Sequence, residues 1–164
     1  MNTFAQLCIA CAVALTIGAF PACSDLGSEP VIEHLEVRYL SAFIVADMMP
    51  VIPPDPDDRI SCAVDLIIRN SSAERLSVRF RVMRGDLRGA GDSGRFGTLY
   101  FSTAWDGVLE PFQTDTIRLT KQSLSDDFVQ PTCGASVELA MEIGEAEDLL
   151  VRFIATPLTL QCVY

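Results

Sequence analysis

The chain is poor in the residues on which catalytic and metal chemistry usually depend. Its only histidine is His34, so a zinc site built from several imidazoles is excluded and a histidine general base has one candidate. Beyond residue 23 no two cysteines lie close together, which removes the paired spacing of a metal knuckle. Beyond the N-terminal segment no stretch holds a helical period, apart from one turn expected around Ser123 to Phe128. That absence argues against a parallel sheet, whose crossovers are normally helices. Positive charge is also outweighed. Twelve Lys and Arg face 22 Asp and Glu, for a net charge of −10, which repels phosphate backbones and excludes nucleic acid as an expected partner. The same acidity helps to keep a domain in solution.

The first 22 residues carry no charged side chain at all. An apolar run from Leu7 to Phe20 is broken at Gly18 and Pro21 and followed by Ala22, Cys23, Ser24, Asp25 and Gly27. It is too short to span a bilayer comfortably and ends in small residues, as an export signal over residues 1–22 does. The sequence Phe20, Pro21, Ala22, Cys23 resembles the lipobox of bacterial lipoproteins. That resemblance implies acylation of Cys23, a membrane partner reached through an N-terminal lipid anchor, and a place in the cell envelope. Ser24 after the cysteine resembles an outer-membrane sorting signal. Ordinary cleavage, which would remove Cys23 and give a periplasmic or secreted protein, is the alternative, and an uncleaved anchor is a third. Residues 23–33, with Gly27, Ser28, Glu29 and Pro30, read as a tether.

Residues 34–164 are of the size of one domain with a single substantial core. Their pattern is that of strands. Val64, Leu66 and Ile68 form one inward row; Leu76, Val78, Phe80 and Val82 form another; Val137, Leu139, Met141 and Ile143 form a third. Further strands are expected at 34–45, 97–103, 113–121 and 149–163. The first changes phase, with Leu35, Val37 and Tyr39 followed by Leu40, Ala42 and Ile44, as a bulge would produce. The last changes phase across Pro157, and both fit sheet edges. Leu66 to Arg69, then Asn70, Ser71, Ser72, Leu76 and Val78, resemble the strand, Asn-Ser turn, strand pattern of bacterial immunoglobulin-like and fibronectin-type-III-like domains. The resemblance implies an all-β fold, a single immunoglobulin-like antiparallel β-sandwich of about seven strands.

Cys62, Cys133 and Cys162 share the phase of their inward neighbours, so all three are expected to point into the domain at one end. An odd number of thiols in an oxidising compartment predicts one bridge and one spare, or Cys23 recruited as a fourth partner. Cys133 and Cys162, on adjacent antiparallel strands, are the favoured pair, and Cys62 with Cys133 is the alternative.

Three short strings resemble chemical motifs. Arg84, Gly85 and Asp86 spell the integrin-binding tripeptide, at the start of an expected mobile loop that runs to Gly97. Gly91, Asp92, Ser93 and Gly94 resemble the nucleophile loop of trypsin-like serine proteases, but that family spreads its base, carboxylate and oxyanion hole over two barrels longer than this domain, and His34, the only possible histidine base, lacks the family's small-residue context and neighbouring cysteine. Asp47, Pro53, Pro54, Asp55, Pro56, Asp57 and Asp58 form an acidic connector without the alternating ligands and glycine of an EF-hand loop. The expectation is a non-enzymatic interaction or accessory domain, with no cofactor, acting on another envelope or surface protein. The alternative is a secreted hydrolase or peptidase-inhibitor-like domain.

Overall fold

The computed structural model describes residues 34–48, 59–91, 94–146 and 149–163. The signal, lipobox and tether therefore lie outside the described residues. So do Ser93 and most of the acidic connector. Ten strands form: β1 (Leu35–Asp47), β2 (Ile60–Asn70), β3 (Leu76–Ser77), β4 (Val82–Gly89), β5 (Arg95–Thr103), β6 (Val108–Leu109), β7 (Thr114–Leu124), β8 (Ser136–Ala146), β9 (Leu149–Thr159) and β10 (Gln161–Val163). Among the described residues there is no helix. The turn expected around Ser123 to Phe128 is not helical: Ser123 belongs to β7, and Phe128 N–H donates to the Ser125 carbonyl at 3.0 Å.

Eight strands make one hydrogen-bonded sheet in the order β10-β1-β2-β7-β5-β4-β8-β9, and β3 pairs with β6 in a small second sheet. Every neighbouring pair in the large sheet is antiparallel except β10 with β1. Only Leu160 separates β9 from β10, so the last stretch of chain pairs with β8 at one edge and with β1 at the other. The sheet therefore curls until its two edges meet. It stays continuous because β4 and β5 are joined by a short hairpin and remain hydrogen-bonded from Arg84↔Tyr100 to Arg88↔Arg95.

The curl encloses one core. Leu66, Ile68, Leu87, Leu99, Leu119, Leu139 and Ile143 are all fully buried within it, each such side chain contributing about 1.5–3 kcal/mol relative to exposure. The expected bulge in β1 is present, with a register shift between Tyr39 and Ser41. Leu40 is the extra residue and points outward, half exposed, while Ile44 and Ala46 return to the core.

The strand expected over Leu76 to Met83 is instead split. Leu76 and Ser77 leave the large sheet to pair with Leu109 and Val108, and the chain crosses back before β4 begins at Val82. Val78 and Phe80 are nevertheless buried, so the alternation reported burial correctly but not pairing. The crossing is held by Val78 N–H to the Gly107 carbonyl at 2.8 Å and Arg81 N–H to the Gly144 carbonyl at 2.8 Å. Gly107 has φ of 84°, and a Cβ there would lie 2.2 Å from the Val78 oxygen. Only glycine admits that approach.

Candidate interaction surface

The tripeptide Arg84, Gly85 and Asp86 is not at a loop tip. It lies within β4, between β5 and β8, and the connector is confined to residues 90–94. Alternation explains the placement: Gly85 points inward, while Arg84 and Asp86 point outward. A Cβ on Gly85 would stand 2.6 Å from the Met141 sulfur and 2.7 Å from Leu139 Cδ1, so this glycine makes room for the core and does not serve a turn. Gly89 and Gly97 are likewise buried strand residues. The run of glycines that suggested a mobile loop belongs largely to the sheet.

Arg84 and Asp86 sit in two rows that cross the outer face of β5, β4, β8 and β9. The first row is Tyr100, Arg84, Glu142 and Arg152; the second is Thr98, Asp86, Ala140 and Ile154. Cross-strand neighbours of this kind are close enough for their side chains to interact. Glu142 accepts from Arg84 Nε at 2.9 Å and Nη2 at 2.7 Å through one oxygen, and from Arg152 Nε at 2.9 Å through the other. Asp86 accepts from Thr98 Oγ1 at 2.7 Å, Arg95 Nη2 at 3.2 Å and Arg88 Nη2 at 3.3 Å. Arg95 also reaches Asp127 at 2.8 Å.

These contacts tune the carboxylates. Arg152, then Arg84, holds Glu142 below the usual carboxylate range. Partial burial opposes ionisation of Asp86, but its bonds from Thr98, Arg95 and Arg88 outweigh that and lower it. On the outer face of the other half of the sheet, Arg118 forks onto Asp65 at 2.7 and 2.9 Å and, with Ser41, lowers that carboxyl too. Each charge in these two rows is met locally. What the face offers outward is Tyr100 and Ile154, 43% and 48% exposed, at the two ends of a mutually neutralised network.

The charge balance of the whole chain follows the same division. All 12 Lys and Arg fall within the described residues. Asp25, Glu29, Glu33, Asp55, Asp57, Asp58, Asp92, Glu147 and Asp148 fall outside them. Within the ten strands eight Asp and Glu face eight Lys and Arg, so the excess negative charge lies outside the strands.

The cysteines divide as expected in pairing but not in direction. Cys133 and Cys162 come to bonding distance with Cα atoms 5.8 Å apart, and Cys62 is free and buried. Cys133 lies in the turn before β8 and is exposed, so the inward phase assigned to it from the strand does not reach it. The bridge ties the start of β8 to β10, the segment that closes the sheet, so the alternative pair Cys62 with Cys133 does not form. Burial pushes the Cys62 thiol up to about 12, which makes it inert at neutral pH.

Two further features had little signal in the sequence. Asn70 is fully buried; its amide donates to the carbonyls of Glu74 at 2.6 Å, Glu110 at 3.1 Å and Leu109 at 3.4 Å, and its oxygen accepts from Ser72 N–H at 2.8 Å and Ser72 Oγ at 2.9 Å. It joins the β2 end to the loops around β3 and β6. Beside it, Glu110 to Gln113 form a turn closed by Gln113 N–H to the Glu110 carbonyl at 3.1 Å. Pro111 holds its second position and Phe112 its third, with φ of 57°. Such a turn favours glycine there, and a bulky side chain is strained. The Phe112 ring is 60% exposed. Pro111 was the readable hint.

Trp105 packs on Phe80 at 5.6 Å between ring centroids, with its indole N–H buried and unpartnered. His34 contributes its carbonyl, which accepts from Ser71 N–H at 2.9 Å and Ser71 Oγ at 3.1 Å. Among the described residues no three of His, Cys, Asp and Glu gather in a group able to hold a metal ion. Cys23 and Ser93 lie outside the described residues. No protein-family model matches the chain and no curated protein matches it in sequence, so its reading rests on the geometry of this sheet.

Proposed function

We propose that the chain is an exported envelope protein, anchored by lipid at Cys23, whose immunoglobulin-like β-sandwich binds another envelope or surface protein and does no catalysis. The observation that carries the fold part is strand order. Lettered A to G in chain order, the seven long strands β1, β2, β4, β5, β7, β8 and β9 follow one another across the sheet as A-B-E-D and then C-F-G. That is the division of strands between the two sheets of an immunoglobulin domain. Here D and C stay hydrogen-bonded, and the parallel contact of β10 with β1 joins the outer edges.

The C-F-G half, with D beside it, carries the binding reading. Tyr100 and Ile154 stand exposed over rows whose charges already satisfy one another. Docking on such a face buries apolar area without stranding an ion, and aromatic anchors of this type carry much of the binding energy in protein interfaces.

Capture of the mature domain from its native envelope, beside a Tyr100→Ala, Ile154→Glu double variant, tests this. Both side chains are exposed, so the variant keeps its fold, and the captured partner should fall by roughly tenfold or more. Equal recovery with both proteins would remove this face from the reading. Labelling of Ser93 by a fluorophosphonate, lost in Ser93→Ala, would replace the reading with a hydrolase.

A further inference from the structure

We propose that Phe112 is a membrane-contact residue, its ring entering the interfacial layer of the same bilayer that holds the Cys23 lipid. This inference rests on the anchored reading above and adds to it an orientation for the domain. It starts from the position of the turn. In the antiparallel order of the sheet, the start of β1, the end of β2 and the start of β7 lie at one end, and the disulfide and β10 lie at the other. Ser71 donates to the His34 carbonyl at 2.9 Å, and Phe112 N–H donates to the Ser72 carbonyl at 3.2 Å. The Phe112 turn is thus fastened to the place where the chain enters the domain.

Ten residues, 24–33, separate Cys23 from His34. A coil of that length has a root-mean-square span of about 17 Å, and full extension limits it to about 33 Å. The Phe112 end is therefore the end that such an anchor holds near the lipid.

The residue itself carries the second part of the argument. A phenylalanine in a left-handed turn position destabilises the fold where glycine would not. Its ring gains little within the domain in return, since it is 60% exposed. A strained, outward aromatic is what a contact residue looks like when the contact is absent. The neighbouring charge fits a bilayer better than a charged partner. Glu110, the first residue of the turn, is paired with Arg75 at 3.3 Å, so the tip presents Pro111 and Phe112 with no uncompensated ion of its own. A phenylalanine ring on a peripheral segment buries itself at the boundary of headgroups and acyl chains.

The test uses the full chain with its native N-terminus, reconstituted in phosphatidylcholine vesicles with and without brominated acyl chains. Trp105→Phe silences the native indole and Phe112→Trp reports from the turn. Emission from the introduced indole should shift to shorter wavelength on reconstitution, lose most of its intensity to brominated lipid and resist iodide in the buffer. If the double variant misfolds, Phe112→Cys carrying an environment-sensitive dye gives the same reading, because Cys62 is buried and Cys133 is bonded to Cys162.

Mass spectrometry of the N-terminus separates the two levels of failure. An acylated Cys23 with a turn probe open to iodide would overturn the membrane contact alone. A chain without acylation would remove the anchor, and the contact with it. Protection from iodide without quenching by brominated lipid, seen only in native envelope vesicles, would assign the ring to a protein pocket and overturn the proposal. Phe112→Gly supplies an independent arm: it should raise the thermal midpoint by a few degrees as the φ strain is relieved. A lower midpoint would mean that the ring packs within the domain, which the inference denies.

Discussion

The two ends of the sheet are closed by different means. At one, β10 pairs with β1 through backbone hydrogen bonds and the Cys133–Cys162 bridge ties β10 to the start of β8. At the other, the first half of β1 and the first half of β9 meet through side chains, with the Tyr39 and Phe153 rings stacked at 6.0 Å. There the work of fixing loops falls to Asn70 and its five hydrogen-bond contacts. A covalent closure restrains the unfolded chain as well as the folded one, whereas a buried polar hub stabilises only while every member is satisfied. The first end should tolerate single changes and the second should not.

Asn70→Ala is the sharpest way to break that comparison. It strands the Ser72 N–H and takes one donor from each of three carbonyls, of which Glu110 keeps the Gln113 N–H and Glu74 the Ser72 hydroxyl, so a loss of about 3 kcal/mol is expected in urea unfolding. Amide exchange should quicken over 71–82 and 108–113 while β10 stays protected. A loss of under about 1 kcal/mol would mean that water replaces the amide and that the hub is dispensable.

Paired Cys133→Ser and Cys162→Ser substitutions probe the opposite end. The bridge closes a sequence separation of 29 residues, and chain entropy makes a loop of that size worth at most about 3.6 kcal/mol. Exchange should quicken at 160–163 and 134–136, and the Asn70 end should be left as it was. Equal quickening at both ends would show one cooperative unit and dissolve the distinction.

Acid gives the smallest and most even effect, because the charged rows lie between the ends. The carboxyls of Asp65, Asp86 and Glu142 are held below their ordinary range when folded. Their stabilisation is therefore complete above the unfolded carboxylate pKa and is lost as the pH falls through the folded values. The thermal midpoint should be level near neutrality and decline below about pH 5. Glu142→Gln should make that decline shallower, and a decline of unchanged slope would assign it to other groups.

How far the fold could be read depended on what each residue had to say locally. Alternation located β1, β2, β5, β7, β8 and the last strand, and the phase change after Tyr39 located the bulge, because burial on one face imposes a period of two wherever a strand lies. The same rule misread Leu76 to Met83, where a chain crossing between sheets buries alternate residues without pairing. Glycine misled for a related reason: Gly85 is required by Met141 and Leu139, which are distant in sequence, and nothing near it distinguishes that need from a turn. Cys133 and Cys162 meet, as strand order predicts, although Cys133 lies outside its strand, since adjacent strand ends meet whichever way a single side chain faces. The Tyr100, Arg84, Glu142 and Arg152 row was invisible, being composed from four strands. Phe112 left only its preceding proline as a trace.

By itself the sequence determined that the domain is all-β and where most of its long strands lie, and it favoured one of two cysteine pairs, because these follow from a period of two, from turn chemistry and from the order of strand ends. Tertiary structure alone decided that the sheet is continuous and curled, that the Arg84 to Asp86 string is a central strand and not a tip, and that Asn70 and Phe112 matter. Each of those depends on which residues, far apart in the chain, share the same few ångströms, and local pattern carries no record of that distance.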